Sequence, residues 1–146
     1  MYDVSCIEGA YMKNRYEYYK IKYKEYIILI KSGNFYVALQ QDAIVLNDIF
    51  KYKLNISNNI IKVGFPINTL NKILKKLDNI NINYIVLDKN ILHINKSKTN
   101  MYNKYINNNI SNYILRIKNI NNILNQNIYN NIDNVLDNIE NIIYNI

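Results

Sequence analysis

The chain has 146 residues, 49% of them hydrophobic, and a formal net charge of +7 at neutral pH. This length accommodates one domain with a sizeable core and argues against two full-sized domains. The single cysteine excludes an internal disulfide, and together with one histidine it cannot supply the ligands of an ordinary zinc site. We therefore expect neither a metal nor any other cofactor.

The positive charge lies in the first two thirds of the chain. Residues 1–98 contain 15 Lys and Arg against 8 Asp and Glu, whereas residues 99–146 contain 3 of each kind. A basic segment of this kind is typical of a surface that meets phosphates or an acidic partner. Solubility alone is the competing explanation, and charge does not decide between the two.

Signals for export, membrane insertion and nucleotide hydrolysis are missing. Residues 1–16 lack the basic start and apolar run of a secretory signal, and no stretch reaches roughly 18 apolar residues. Neither a GxxxxGK[ST] phosphate loop nor a GxGxxG occurs, and no clustered set of acid, base and nucleophile is evident. We expect a cytoplasmic protein that is neither membrane-bound nor an enzyme.

The first forty residues predict a helix followed by a strand hairpin. Residues 11–26 carry an apolar and aromatic helical face formed by Met12, Tyr16, Tyr19 and Tyr23. The apolar run 27–30 then predicts a strand. Ser32, Gly33 and Asn34 supply turn chemistry before a second apolar segment, so a tight turn and another strand follow.

Helices and strands alternate in the next part of the sequence. The spacing predicts a helix over 41–52, a polar loop at 55–59, a strand at 60–63, a helix over 70–77 capped by Thr69, and a strand hairpin formed by 84–87 and 91–94. Residues 1–98 are therefore predicted to form an α/β domain, a mixed β-sheet flanked by helices.

Residues 99–146 form a second, Asn-rich segment without glycine or proline. Its apolar residues recur every three or four positions, which predicts two helices separated by a turn at 125–127. We expect a C-terminal α-helical hairpin, because asparagine-rich helices need tertiary contacts to persist. The hairpin either packs on the sheet domain or forms a homo-oligomer.

Basic and aromatic side chains are interleaved near the N-terminus. The candidate nucleic-acid-binding residues are Lys13, Arg15, Lys20, Lys22, Lys24, Lys31, Phe35 and Tyr36. Lys and Arg neutralise phosphates, while aromatic rings stack on exposed bases or wedge between base steps. Fifteen tyrosines in one short chain will also fall beside lysines by chance, so the pattern alone is weak.

The order of these residues resembles domain I of the MutS mismatch-repair proteins. Met12, Tyr16 and Lys20, the apolar strand, the run Lys31 to Tyr36, and Asp42 with Ala43 follow the family's M-x-x-x-Y-x-x-x-K, R-x-G-D-F-Y-E and D-A segments. Later segments also resemble the family, namely Lys62 to Pro66, the helix with Leu74, Lys76 and Leu77, and Tyr84 to Leu87. The resemblance covers about residues 11 to 89.

The resemblance implies a mode of DNA contact. In the family this domain approaches DNA through the turn that corresponds to Gly33 to Tyr36, and a phenylalanine stacks on the mispaired base. That phenylalanine would be Phe35, with Asn34, Tyr36 and Lys31 beside it. Its insertion would favour DNA that is easily unstacked and kinked.

The sequence also departs from the family at the mismatch-reading positions. The glutamate that hydrogen-bonds the mispaired base is Val37 here, and the aspartate before the phenylalanine is Asn34. The tyrosine and histidine after the proline are Ile67 and Asn68. Because valine neither donates nor accepts a hydrogen bond, this position cannot hydrogen-bond a mispaired base.

Two functions follow from the sequence. The first is a stand-alone, non-enzymatic accessory protein that binds DNA or RNA, with Phe35 stacking on bases and a basic face contacting phosphates. The alternative is a protein-interaction module that has lost mismatch recognition, such as a partner of a polymerase or of a reverse transcriptase in a diversity-generating retroelement.

Overall fold

The computed structural model describes residues 4–109, 119–120, 137 and 139–142. The chain divides into two compact units, Met1–Ile106 and Asn107–Ile146. The first unit contains, in chain order, α1 (Val4–Lys22), β1 (Ile27–Ser32), β2 (Phe35–Leu39), α2 (Gln40–Phe50), β3 (Asn55–Ser57), β4 (Ile60–Pro66), α3 (Leu70–Asn79), β5 (Tyr84–Leu87) and β6 (Ile91–Asn95). A short 3₁₀ helix, Ile67–Thr69, connects β4 to α3.

The strands form one mixed sheet of six, in the order β3-β4-β2-β1-β5-β6. The central strand β1 pairs in parallel with β5, and the other four pairings are antiparallel. The predicted α/β fold with a mixed sheet flanked by helices is therefore confirmed.

Both faces of the sheet are covered, and β1 shows why. Ile27 and Leu29 join the core cluster that contains α2 and α3, whereas Ile28 and Ile30 join the cluster beneath α1. Alternate side chains of a strand point to opposite faces, so a strand buried on both sides needs an unbroken apolar run. All four residues are at most 1% exposed.

Several predicted boundaries and contacts are wrong. Helix α1 begins at Val4 and ends at Lys22, rather than covering 11–26. The predicted polar loop contains β3, whose exposed residues pair with β4 at the edge of the sheet. Thr69 makes no side-chain cap for α3 and instead donates to the carbonyl of Pro66 at 2.7 Å, because the 3₁₀ helix intervenes.

Residues 99–146 were predicted to form a helical hairpin, and the second unit begins within them, at Asn107. Its described residues, 107–109, 119–120, 137 and 139–142, are all helical. The predicted turn at 125–127 lies outside the described residues, so the hairpin stays a prediction. Among the residues that are described, no helix is long and apolar enough to cross a membrane.

The core on the α2 and α3 face depends on a stack of aromatic rings. Phe65 is 1% exposed and stacks between Tyr36 and Tyr52, with centroid separations of 6.1 Å and 6.2 Å.

Replacing Phe65 by alanine should lower the free energy of unfolding by about 3–5 kcal/mol, because the surroundings cannot fill the cavity. Ile56→Ala, at a position 63% exposed on β3, should cost less than about 1 kcal/mol. Urea denaturation measures both, and equal losses would contradict this packing.

Candidate nucleic-acid interface

The turn between β1 and β2 presents Phe35 to solvent. Gly33 adopts the left-handed conformation at φ +56°, which glycine reaches without strain from a Cβ atom. Successive side chains of a strand point to opposite faces of the sheet. Phe35 is accordingly 49% exposed, whereas the next residue, Tyr36, is 4% exposed. The Tyr36 ring stacks on Phe65 inside the core. Tyr36 is therefore not available to stack on a base, which corrects its assignment to the candidate set.

Pro66, the last residue of β4, and Ile67, the residue after it, extend the exposed apolar surface around Phe35. Pro66 is the register partner of Phe35 across β2 and β4. The backbone N–H of Ile67 donates to the carbonyl of Asn34 at 3.1 Å, which joins the two loops. Ile67 is 36% exposed, and the side chains of Pro66 and Asn34 are also exposed. We call Phe35, Pro66 and Ile67 the apolar tip.

Two of the predicted basic residues lie at the same end of the sheet as the apolar tip. Lys31, at the end of β1, pairs with Asp88 through a 3.0 Å contact between Nζ and Oδ2. Arg15 donates to the backbone carbonyls of Asp88 and Lys89. Because β5 runs parallel to β1, the turn that follows β5 lies at this end. The hydrogen bond from Lys31 to Asp88 raises the pKa of Lys31, so this ammonium is charged at neutral pH.

Two other predicted lysines, Lys22 and Lys24, are not brought to the apolar tip. Lys22 ends α1 and Lys24 lies just before β1, so both are near the start of the strand whose far end carries the turn. A strand of this length separates its ends by about 15–20 Å. Lys13 lies on α1 and approaches Glu17 at 4.0 Å.

Lys20 belongs to a buried polar network and not to the surface. Its Nζ lies 2.7 Å from Oδ1 of Asp42, which is completely buried, and it also donates to the Tyr26 carbonyl at 2.6 Å. The Tyr102 hydroxyl donates to the same Oδ1 at 2.6 Å, and the Ile28 N–H donates to Oδ2 at 2.9 Å. Lys20 is therefore occupied within the fold, which corrects its assignment as a phosphate contact.

Burial controls the protonation of this network. It raises the pKa of Asp42 and lowers the pKa of Lys20, because each charged form loses water, and each partner opposes the shift in the other. Burial and the neighbouring Asp42 also raise the pKa of Tyr16 and of Tyr102. Both tyrosine hydroxyls consequently stay protonated at neutral pH and serve as donors to the carboxylate.

A scan against protein-family models matches residues 10–113, well over half of the chain, to MutS domain I. The chain belongs to the MutS domain I family. A search of the curated proteins found no match. Membership of this family supports a fold of the DNA mismatch-recognition kind.

The MutS domain I motif has two physically different parts in this chain. Tyr16, Lys20 and Asp42 are motif residues that meet in the buried network and hold elements together. Phe35, by contrast, is a motif residue that is exposed to solvent. Motif membership therefore does not by itself make a residue a ligand contact.

Val37 replaces the glutamate of the MutS domain I motif, and the structure explains what it does. It is 5% exposed and belongs to the apolar cluster beneath α1, with Tyr16 and Leu39. An apolar side chain suits this position, whereas a carboxylate would lose its water there. Nothing polar from this position reaches the surface beside Phe35.

Sequence reasoning missed that Pro66, Ile67 and Lys89 lie at the same end of the sheet as Phe35. Only the strand register and the parallel pairing of β1 with β5 bring them to one end of the sheet. No group of three or more His, Cys, Asp or Glu that could hold a metal is found in the described part of the chain.

The structural role assigned to Lys20 can be tested by stability. Lys20→Met should lower the free energy of unfolding by about 3–5 kcal/mol, because Asp42 keeps its buried charge and loses its counter-ion. Lys22→Met, on the exposed side of the same helix, should change it by less than about 0.5 kcal/mol. Urea denaturation followed by circular dichroism provides the comparison. Equal effects of the two substitutions would contradict the network.

Proposed function

We propose that this protein is a non-enzymatic nucleic-acid-binding module that contacts DNA or RNA through the apolar tip. The observation that carries the proposal is the 49% exposure of Phe35 on a strand whose next residue is anchored in the core. A phenylalanine held in this way presents its ring with little freedom left to lose on binding. Such a ring can stack on an unpaired base or enter a weakened base step.

The surroundings of Phe35 suit this task. Ile67 and Pro66 widen the apolar surface, so a base that stacks on Phe35 would also be shielded from water on one side. The exposed Asn34 offers an amide that can donate to a base edge or a phosphate. A ring with an apolar border and a polar neighbour is suited to contacting a base with little dependence on its identity.

Lys31 and Arg15 are the proposed phosphate contacts next to the apolar tip. The Lys31 and Asp88 side chains are 35% and 38% exposed, so a phosphate can reach this pair from solvent. Exposed ion pairs contribute little to stability, and Lys31 can therefore exchange Asp88 for a phosphate at small cost. We do not include Lys13, Lys22 or Lys24 in the proposed contact surface.

We further propose that binding does not select mismatches. Val37 is buried and apolar, so the position that reads the mispaired base in the family offers no hydrogen bond. Matched and mismatched duplexes should accordingly bind with similar affinity, while single strands, whose bases are already unstacked, should bind more tightly.

A second candidate function is favoured by the same buried Val37. A domain without the mismatch-reading group could serve as a protein-interaction module, for example beside a polymerase or a reverse transcriptase. A purified protein that ignores DNA and RNA at low salt, yet co-purifies with one protein partner, would favour this candidate over nucleic-acid binding.

Phe35→Ala tests the proposed function directly. It should weaken binding of a fluorescein-labelled single strand by about 1–3 kcal/mol, the contribution of one base stacked on an aromatic ring. Tyr18→Ala is the matched control, since Tyr18 is an aromatic residue of α1 that is 67% exposed. Fluorescence anisotropy at two salt concentrations measures both variants.

The control should bind like the unmodified protein, and neither variant should change the melting temperature by more than a few degrees. If Phe35→Ala and Tyr18→Ala bound with the same affinity as the unmodified protein, the stacking role of Phe35 would be wrong.

A further inference from the structure

A groove lies between the C-terminal end of α2 and the exposed side of α3, on the face of the sheet opposite α1. Its volume is about 970 Å³. The side chains that define it are Phe50, Lys51, Tyr52, Lys72, Lys75 and Lys76. None of these lysines is among the basic residues nominated from the sequence, because helical periodicity marks the lysines of α3 only as its solvated face.

The groove has an unbalanced charge. Four lysines line it and no acidic side chain does. Within the described residues, Lys72 and Lys75 take part in no ion pair, while Lys51 approaches Asp48 at 3.5 Å with its own side chain 80% exposed. Like charges at this density repel one another, so a bound polyanion would relieve an unfavourable interaction.

The floor of the groove is aromatic. The Phe50 and Tyr52 rings are stacked, with 5.6 Å between their centroids and 10° between their planes. Lys76 holds its ammonium 5.0 Å from the Phe50 centroid and donates to the Ile49 carbonyl at 3.1 Å. A cationic groove with aromatic rings is the combination that proteins use to bind single-stranded nucleic acid.

One end of the groove is next to the apolar tip along the chain. Asn68, the residue after Ile67, lines it, and Asn71 on the first turn of α3 lines it as well. Helix α3 has 10 residues and is therefore about 15 Å long. A strand that leaves the apolar tip along this helix would pass Lys72 first and Lys75 and Lys76 one turn later.

We propose that the groove binds the phosphodiester backbone of a single nucleic-acid strand whose base contacts the apolar tip. The inference rests on the proposed function and extends it by assigning the phosphate contacts mainly to α3. The phosphodiester is common to DNA and RNA, so a DNA probe and an RNA probe of the same sequence distinguish the two sources.

The test removes the same number of positive charges from the groove and from a surface outside it. Lys72→Gln with Lys75→Gln removes two positive charges from the groove. Lys96→Gln with Lys98→Gln removes two from exposed positions after β6, at the end of the sheet that lies away from the apolar tip. Anisotropy of labelled single-stranded DNA and RNA is measured over a range of salt concentrations, and melting temperatures confirm that each variant is folded.

The groove variant should bind about tenfold more weakly at low salt, and the slope of log affinity against log salt should become shallower by about 1.4, which corresponds to two lost phosphate contacts. The control variant should keep the slope of the unmodified protein. Equal salt slopes in the two variants would contradict phosphate binding in the groove.

Phe35→Ala separates this inference from the function on which it rests. Removal of the ring should weaken binding without changing the salt slope. If Phe35→Ala had no effect while the groove variant behaved as expected, base stacking at the apolar tip would be wrong. Phosphate binding in the groove would then still be supported. If the unmodified protein bound neither probe at low salt, both the proposed function and the phosphate-binding groove would be wrong.

Discussion

The buried ion pair between Lys20 and Asp42 is the interaction on which the rest of this fold depends. Removing both charges from water costs several kcal/mol for each ion, and a pair at 2.7 Å offsets that cost only when its remaining hydrogen-bonding groups are satisfied. Here they are, through Tyr102, the Ile28 N–H and the Tyr26 carbonyl. The network ties α1, β1, α2 and residue 102 to one point, and the described residues contain no buried side-chain donor or acceptor without a partner.

This constraint also explains how one motif can serve both fold and surface. With α1 fixed across one face and α2 and α3 across the other, β1 and β2 are rigid, and the turn between them is left projecting from the end of the sheet. Phe35 lies at the exposed end of β2, and its neighbour Tyr36 is buried in the core, where it holds the backbone of the strand in place. Preorganisation of this kind lowers the ordering cost of binding. In the proposed binding mode, the lysine-lined groove on α3 adds positive charge to that of Lys31 and Arg15 beside the apolar tip.

Much of the fold could be predicted from local patterns, and much of the site could not. The run 27–30 followed by Ser32, Gly33 and Asn34 identified the hairpin, because such turn chemistry acts over a few residues. The alternation of a strand could have shown that Phe35 and Tyr36 face opposite ways. The four-residue spacing of Tyr16 and Lys20 could likewise have shown that both lie on one helical face. By contrast, β3 is a strand only because β4 lies beside it, and the nearness of Ile67 to Asn34 and of Lys31 to Asp88 arises from pairings between distant segments.

In the proposed function, nucleic acid contacts the end of the sheet formed by the apolar tip and the adjoining α3. The most direct measurement is a titration of ¹⁵N-labelled protein with a short single-stranded oligonucleotide, followed by amide chemical shifts. We predict that the shifts concentrate at Gly33 to Phe35, at Ile67 and Asn68, and along α3 from Asn71 to Lys76, while Lys22 to Tyr26 stay unchanged. Shifts confined to Lys22 to Tyr26, or no shifts at low salt, would contradict the account.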